Sequence, residues 1–377
     1  MNDKAHFGRL AASGRLAAAF ALFAWLVPGL AMLALVSGCA TQQKAQEVTQ
    51  LVWPPPPQPP RVKFVRNIVS DEDLEKDTTS TQKILNFLGG DKPTANQFAE
   101  PTGIAVSDDG QRVYVADIMQ HAVFVFDFGN KRFNKIDAVH SPGGVALDAQ
   151  ENLYVVLTLD HRIDVYGPDR KKIREITDSS VERPVGLAID KVRGRIYLVD
   201  TGNGKTTEFS VKVFNMEGKL TGKIGGRAGY KDGEFVYPTY ACVDNDGNLY
   251  VTDSFNARVQ KFDPEGKYVK TFGQRGDAWG MFDKPKGVAV DSFGNVYVVD
   301  SIWSNVQIFN PKGQILLFFG GRGSYPGMLR NPNPIAIDKQ NRIYVGDFLN
   351  ARVAVYELVN TTGADSYVEP PKGKPKK

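Results

Sequence analysis

A single pattern recurs six times along most of this chain. Each copy begins with proline and a short apolar run, continues through a turn rich in Asp, Asn and Gly, and ends in a second run in which Tyr precedes Val or Leu. The copies begin at Pro101, Pro142, Pro184, Pro238, Pro285 and Pro332, at spacings of 41, 42, 54, 47 and 47 residues. A third alternating strand follows, as in Arg258–Phe262, and the later copies add a fourth, as in Lys267–Phe272. Since four strands at such a period are typical of a propeller blade, the sequence predicts an all-β, six-bladed β-propeller with four-stranded antiparallel blades.

The sixth repeat leaves its blade incomplete. It ends after its third strand, Arg352–Tyr356, and an uncovered strand edge invites pairing with other chains. The segment Arg61–Ile68 precedes the first repeat and alternates in the same way as Lys267–Phe272. We therefore expect Arg61–Ile68 to supply the missing outer strand, so that the propeller spans residues 61–358 and is closed by an N-terminal strand. Residues 80–88 have the pattern of a short capped amphipathic helix.

The first 38 residues have the pattern of an export signal. Basic residues precede Leu16–Leu35, which is almost wholly apolar. A run of this length can also span a bilayer, which makes a permanent transmembrane anchor the alternative. The sequence Val36–Cys39, Val-Ser-Gly-Cys, resembles the bacterial lipobox, in which the cysteine thiol receives a lipid before cleavage. We therefore expect residues 1–38 to be a lipoprotein signal peptide and Cys39 to be acylated.

Residues 39–60 are expected to form a tether between the lipidated cysteine and the propeller. The run Pro54–Pro60 contains six prolines and favours polyproline II, a semi-rigid spacer of about 3.1 Å per residue. Two or three acyl chains would make membrane attachment effectively stable, and Ala40 favours the bacterial outer membrane. At the other end, residues 359–377 are predicted to be a disordered basic tail.

The repeats resemble NHL repeats, a family of six-bladed propellers. The shared pattern is Pro-x-Gly-(Ile/Val)-Ala-(Val/Leu)-Asp, then Gly-Asn-(Ile/Val)-Tyr-Val-x-Asp, then Asn-x-Arg-Val-x-x-Phe, and it covers roughly residues 101–356. The chain departs from it at Leu157, where other repeats have aspartate, at Pro334, which replaces the glycine, and in an insertion around Gly202–Phe209. The resemblance implies the fold but not the function, because propellers of this kind include enzymes as well as binding modules.

Residues suited to catalysis are few or repeated. The metal-dependent amidating lyases of the NHL type need several histidines at the central channel, whereas here only His121 and His161 share an equivalent loop position. Lactonase-like propellers hold calcium with Glu, Asn and Asp, but the acids of this chain recur from blade to blade. The recurring acids are Asp148, Asp190, Asp244, Asp291 and Asp338 after first strands and Asp117, Asp200, Asp253, Asp300 and Asp347 after second strands. We expect them to accept hydrogen bonds from turn amides, and we predict no catalytic residue, no metal and no cofactor.

Three other features have structural interpretations. Cys242 lies in a strand pattern and is expected to be a buried, inert thiol. Arg258 and Arg352, with Arg162 in the same register, are expected to pair with neighbouring loops. The formal net charge of +4 is small and its cations are dispersed, so nucleic acid is not an expected partner.

The loops after the second strands carry large apolar side chains where small polar ones are usual. These loops meet on one face of a propeller, together with connections between blades that hold arginine and aromatic residues. The set comprises Ile118, Met119, Leu159, Phe255, Ile302, Trp303, Phe348 and Leu349 from the strand loops, and Arg227, Tyr230, Arg275, Trp279, Arg322 and Tyr325 from the connections. Arginine and aromatic residues concentrated on one surface indicate a protein interface. The alternative is that these side chains tuck between adjacent blades.

The sequence therefore supports three functional hypotheses. The first is a membrane-anchored, non-catalytic binding or scaffold propeller, held to the bilayer by its acyl anchor, that docks another exported or membrane protein through its loop face. The second is a lyase or hydrolase that uses calcium in the central channel. The third is carbohydrate or peptidoglycan binding through Trp279, Trp303 and the tyrosines.

Overall fold

A computed structural model describes residues 50–74, 96–204 and 208–363. The expected signal peptide, Cys39, the helix over residues 80–88 and most of the expected basic tail lie outside these ranges. Within them, no helix is both long enough and apolar enough to cross a membrane.

The described residues form 25 strands and three short 3-10 helices. Before the first repeat lie β1 (Val52–Trp53) and β2 (Val62–Ile68). The first three blades are β3 (Pro101–Val106), β4 (Arg112–Asp117), β5 (Ala122–Asp127) and β6 (Arg132–Ile136); β7 (Pro142–Leu147), β8 (Leu153–Leu157), β9 (Arg162–Tyr166) and β10 (Lys172–Thr177); and β11 (Pro184–Asp190), β12 (Arg195–Asp200), β13 (Glu208–Asn215) and β14 (Leu220–Arg227). The others are β15 (Pro238–Val243), β16 (Leu249–Asp253), β17 (Arg258–Phe262) and β18 (Tyr268–Phe272); β19 (Pro285–Val290), β20 (Val296–Asp300), β21 (Asn305–Phe309) and β22 (Ile315–Gly320); and β23 (Pro332–Ile337), β24 (Arg342–Asp347) and β25 (Arg352–Leu358). The helices are Asp71–Leu74, Ser254–Asn256 and Phe348–Asn350.

The sheets form a ring of six blades. Each sheet is antiparallel and runs from an inner first strand to an outer last strand. Every inner strand packs against the inner strand of the next blade, and β23 returns to β3. The prediction of a six-bladed, four-stranded propeller is therefore confirmed.

The second strand of each blade lies at the centre of the core. All five residues of β20 are buried, because neighbouring blades cover both faces of its sheet. A strand covered on both faces is a continuous apolar run rather than an alternating one, which explains the repeated Tyr-Val. The buried tyrosine keeps a partner for its hydroxyl, as where Tyr297 donates to Asp291 at 3.0 Å. The core thus consists of apolar layers between blades, and most of these layers contain one tyrosine whose hydroxyl donates a hydrogen bond to an aspartate.

The last blade confirms the predicted closure. Its sheet has the order β1-β2-β25-β24-β23, so β2 supplies the outer strand that the sixth repeat lacks. Val62 pairs with Leu358 at one end, and Ile68 pairs with Val353 at the other. The N-terminal and C-terminal ends of the propeller are thus held in one sheet.

The proline-rich segment differs from the expected extended spacer. It turns back as a loop between β1 and β2, so that the amide of Arg61 donates to the carbonyl of Trp53 at 2.7 Å. The amide of Phe64 likewise donates to the carbonyl of Leu51 at 2.8 Å. The propeller therefore includes β1, a fifth strand in its last blade, and the predicted boundary at residue 61 falls too late.

The side chain of Trp53 holds β1 in the sheet of the last blade. Its ring packs against Tyr356 and Phe319, with centroid distances of 5.7 and 6.1 Å. Tyr356 is fully buried and donates its hydroxyl to the carbonyl of Gly327 at 3.1 Å. Aromatic contacts of this kind stabilise a structure beyond the burial of apolar surface area. They therefore hold β1 in the sheet more strongly than its two residue pairs with β2 would alone.

Candidate functional site

The candidate site is one face of the ring, which we call the loop face. It is made by the turns between second and third strands and by the connections between blades. The register shows why these meet: Pro285 at the start of β19 pairs with Asp300 at the end of β20. Each connection between blades therefore ends beside the turn that joins the second and third strands of the blade that it enters.

The aspartates after the second strands fix these loops. Asp300 is buried and accepts hydrogen bonds from the amides of Asp283 (2.8 Å), Lys284 (3.2 Å), Ile302 (2.9 Å) and Trp303 (3.0 Å). Burial raises the pKa of Asp300, although these four bonds favour its charged form. The amides come from both the connection and the turn, so one carboxylate positions two loops. The predicted structural role of the repeated acids is confirmed.

Two of the three predicted arginines hold the longer connections, whereas Arg162 pairs within its own blade, with Asp164 at 2.8 Å. Arg352 donates to Asp347 at 2.8 Å and to the carbonyl of Met328 at 2.7 Å. Arg258 makes the same type of contact with Asp253 at 3.0 Å and with the carbonyl of Glu234 at 2.9 Å. The connections into blades 4 and 6 are therefore ordered by side chains from the blades that they enter.

The two candidate metal-binding histidines are turn residues. His121 and His161 have φ angles of 47° and 54°, the same left-handed conformation that Ala257, Ser304 and Ala351 adopt at the equivalent positions. Both imidazoles are exposed. In residues 50–74, 96–204 and 208–363, no three His, Cys, Asp or Glu side chains are grouped so that they could hold a metal ion.

Nine of the predicted loop residues expose large apolar side chains, with exposed fractions between 40% and 80%. They are Met119, Leu159, Tyr230, Phe255, Trp279, Ile302, Trp303, Tyr325 and Leu349. Ile118 and Phe348 are half-buried, and Arg227, Arg275 and Arg322 are exposed. Tucking between blades therefore describes only the two half-buried residues.

The structure brings some of these residues together and separates others. Arg275 donates to the carbonyl of Phe255 at 2.7 Å, and Arg322 donates to the carbonyl of Ile302 at 3.1 Å. Each arginine thus lies beside an exposed apolar turn of the preceding blade. Trp279 lies toward the outer edge instead, because its ring packs edge-on against Phe318 of the outer strand β22, 5.2 Å away.

Tyr237 belongs to the loop face but was not among the predicted residues. Its ring stacks on Phe255 with centroids 4.7 Å apart and packs at 6.5 Å against Phe209, while the Lys284 ammonium lies 5.5 Å from the Phe255 centroid. These contacts join blades 3, 4 and 5 into one aromatic and cationic surface. Tyr237 could have been recognised from the sequence, because it is an aromatic residue directly before the proline that starts its repeat.

Tyr240 was also missed, and it changes the central channel. The other repeats have Gly or Pro at the third position of the first strand, and glycine allows close approach, since a Cβ on Gly103 would lie 2.4 Å from the Gly143 carbonyl. In blade 4 this position is Tyr240, whose hydroxyl donates to the carbonyl of Thr102 in the opposite blade at 2.6 Å. A phenol thus crosses the channel. Comparison of the six repeats would have found it.

The side chains that line the channel are mainly apolar. The channel contains a cavity of about 220 Å³ lined by inner-strand side chains such as Val106, Ile189 and Ile337. Lys191 also lines this cavity, and its ammonium pairs with the Asp108 carboxylate, as does that of Lys339, both at 2.7 Å. Cys242 is half-buried rather than buried as predicted, because it also lines the cavity, and desolvation raises the pKa of its thiol, which suits the predicted inert role. The side chains of this lining include no carboxylate or imidazole that could bind a metal ion.

We expect Tyr240→Phe to lower the free energy of unfolding by about 1 kcal/mol, because it removes a buried hydrogen bond across the ring. Urea unfolding followed by circular dichroism measures the change. Tyr230→Phe is the matched control, since Tyr230 is exposed. Equal effects of the two substitutions would mean that the bond between Tyr240 and Thr102 does not stabilise the ring.

Comparisons with known proteins agree with this architecture. The family described as SMP-30/Gluconolactonase/LRE-like region matches residues 70–185, and the NHL repeat family matches residues 235–262. The protein SUPPRESSOR OF QUENCHING 1, chloroplastic, of Arabidopsis thaliana is 22% identical over 229 residues, which are 48% of this chain and 21% of that protein. The chain spans about a tenth to a fifth of the length of the curated relatives that it matches.

Solved structures show the same fold. A gluconolactonase of Xanthomonas campestris superposes with a TM-score of 0.56 at 16% identity, covering 78% of this chain and 98% of that one. A streptogramin B lyase superposes with a TM-score of 0.53 at 12% identity, covering 70% of this chain and 95% of that one. At these identities the likeness concerns the fold alone.

Proposed function

Because the chain is an NHL-repeat β-propeller, we propose that it is a membrane-anchored, non-catalytic binding module that docks another exported or membrane protein through its loop face. The observation that carries this proposal is the set of nine exposed apolar side chains on that face. Exposed apolar groups concentrated on one surface usually have a partner. The anchor in this proposal is an acyl group on Cys39, inferred from the sequence of residues 36–39, and Ala40 favours the bacterial outer membrane.

The distribution of apolar surface supports this choice of face. Fourteen large apolar side chains are exposed in the described part of the chain, and nine of them are the loop-face residues named above. The remaining five, Leu51, Val65, Ile173, Val192 and Val269, are scattered over strands and turns elsewhere. Single exposed apolar residues are normal, whereas a concentration is not.

Rigidity of the loops supports docking as well. The repeated aspartates and the arginines Arg258 and Arg352 hold the turns and connections before any partner arrives. A surface that is already ordered loses little conformational entropy when it binds. The aromatic stack of Tyr237 and Phe255 supplies a rigid contact area of the kind found at interface hot spots.

The docking proposal predicts that the double variant Leu159→Ser, Trp303→Ser recovers at least about tenfold less partner from the native membrane fraction than the unmodified protein does. A loss of that size corresponds to removal of one or two buried apolar anchors. Cross-linking followed by affinity purification and quantitative mass spectrometry measures the recovery.

The matched control for this experiment is the double variant Ile173→Ser, Val192→Ser. It removes two equally exposed apolar side chains outside the loop face, and the same partner should be recovered in full. If both double variants recover as much partner as the unmodified protein, docking through the loop face is wrong.

A second candidate is a metal-dependent hydrolase, and the match of residues 70–185 to the gluconolactonase-like family favours it. The first candidate is the better supported, because no carboxylate or imidazole lines the channel cavity and the phenol of Tyr240 crosses the channel. Calcium bound at one ion per chain, together with lactonase activity that a chelator abolishes, would favour the hydrolase instead.

A further inference from the structure

A second cavity opens on the loop face between blades 5 and 6, with a volume of about 540 Å³. Four cationic side chains line it: Lys284 and Lys286, which flank Pro285 at the start of β19, and Arg322 and Arg330 from the connection between β22 and β23. Within the described ranges none of the four forms a salt bridge. These four cations differ in this respect from Arg258 and Arg352 on the same face, which are paired with aspartates.

The nearby carboxylates are committed to other donors. Asp300 accepts the four backbone amides described above. Asp347 accepts the amide of Arg330 at 2.7 Å and the side chains of Asn350 and Arg352 at 2.6 and 2.8 Å. Neither acid is therefore placed to neutralise the side-chain cations, and like charges that share a partly desolvated cavity repel one another.

The cavity also has an apolar wall and neutral polar groups. Ile302, Phe348 and Leu349 line one part of it, and Ile302 and Leu349 are exposed. Asn331 and Asn333 line another part, and the buried Oδ1 of Asn333 has no hydrogen-bond partner in the described part of the chain. A concave site with an apolar wall and a few convergent polar groups is the usual form of a small-molecule site.

We propose that this cavity binds a small organic anion, with its carboxylate or phosphate oxygens against Lys284, Lys286, Arg322 and Arg330 and its apolar part against Ile302, Phe348 and Leu349. The guanidinium groups can hold such oxygens in a bidentate manner, and the ammonium groups add point charges. The anion supplies the negative charge that the cavity lacks. The site requires no protein partner, so it stands or falls separately from the docking function.

Protonation of Lys286 gives the proposal a pH dependence. Burial, together with the charge of Lys284, lowers the pKa of Lys286 to about 8. The other charged groups that line the cavity are Lys284, Arg322 and Arg330. Because the anion binds the protonated amine better, its affinity should fall as the pH rises from 7 to 9.

Isothermal titration calorimetry on the full chain in detergent tests the site with four probes: phenyl phosphate, benzoate, inorganic phosphate and benzyl alcohol. We expect phenyl phosphate and benzoate to bind one per chain. Inorganic phosphate lacks the apolar part and should bind at least about tenfold more weakly, and benzyl alcohol, which is uncharged, should not bind. Comparison of phenyl phosphate with benzoate tells a phosphate site from a carboxylate site.

Three variants complete the test. Lys286→Met and Arg330→Gln should each weaken phenyl phosphate binding at least about fivefold, and circular dichroism verifies that both fold. Lys171→Met is the matched control, because Lys171 lies in a turn on the opposite face and is exposed. Binding that Lys286→Met and Arg330→Gln leave unchanged, or no binding of any probe at millimolar concentration, would overturn the proposal. Either result would leave docking through Leu159 and Trp303 unaffected.

Discussion

Replacement of Val62 by aspartate is expected to lower the free energy of unfolding by about 4 kcal/mol. Val62 is fully buried in β2, where it packs in the apolar cluster that also contains Tyr356 and Phe319. Aspartate at this position would bury a charge with no partner, which is among the costliest single changes in a core. Urea unfolding followed by tryptophan fluorescence measures the loss, and Trp53 beside Tyr356 reports directly on the closing blade.

Val65→Asp is the matched control for this prediction. Val65 lies in the same strand and receives the same substitution, but its side chain is exposed. Its cost should stay below about 1 kcal/mol, as for other surface changes. Similar losses in the two variants would mean that β2 is not packed against β25 as the closing strand.

Lys286→Met is expected to raise the free energy of unfolding by about 2 kcal/mol at pH 7. The pKa of Lys286 falls from 10.5 to about 8 on folding, mainly because its amine is desolvated. At about 1.4 kcal/mol per pKa unit the full shift would be worth about 3 kcal/mol, and water that reaches the amine reduces this value. Methionine fills a similar volume without a charge.

The pH dependence tests the cause of this stabilisation. The unfolded chain binds more protons than the folded chain between pH 8 and 10.5, so the unmodified protein gains stability as the pH rises through that range. The advantage of Lys286→Met should therefore shrink between pH 7 and pH 10. Urea unfolding at both values measures it, with Lys171→Met as the control that should show no advantage at either pH.

An advantage that does not change with pH would assign the effect of Lys286→Met to packing rather than to charge. The expected result instead identifies Lys286 as a residue that reduces the stability of the empty protein. Residues of this kind cluster at binding sites, where desolvated charge is held for a ligand. The stability measurement and the calorimetry therefore test the same cavity by two different observables.

Much of the fold could be predicted because its causes are local in sequence. A strand between two neighbouring sheets must be apolar on both faces, and a tight turn needs Asp, Asn or Gly, so each blade carries its own pattern. The missing outer strand of the last repeat and the matching alternation of Arg61–Ile68 were likewise visible in the residues. The exposed loop residues, such as Met119 and Leu159, could be named because they interrupt the repeat.

Other features depend on contacts that local patterns do not encode. Val52–Trp53 is a short strand only because Tyr356 and Phe319, which are distant in sequence, receive the tryptophan ring. The proline run that follows was expected to be extended, but Arg61 and Trp53 pair across it. Local preference for polyproline II was overridden by the hydrogen bonds and packing of the closing blade.

The sequence by itself determined the six blades, the strand that closes them and the apolar character of the loops, because each follows from the repeated pattern or from a departure from it. The tertiary structure alone decided that Tyr240 crosses the channel to Thr102 and that Lys284, Lys286, Arg322 and Arg330 share one cavity. Ring closure sets those distances, and it brings together side chains from separate blades whose proximity no repeat pattern records.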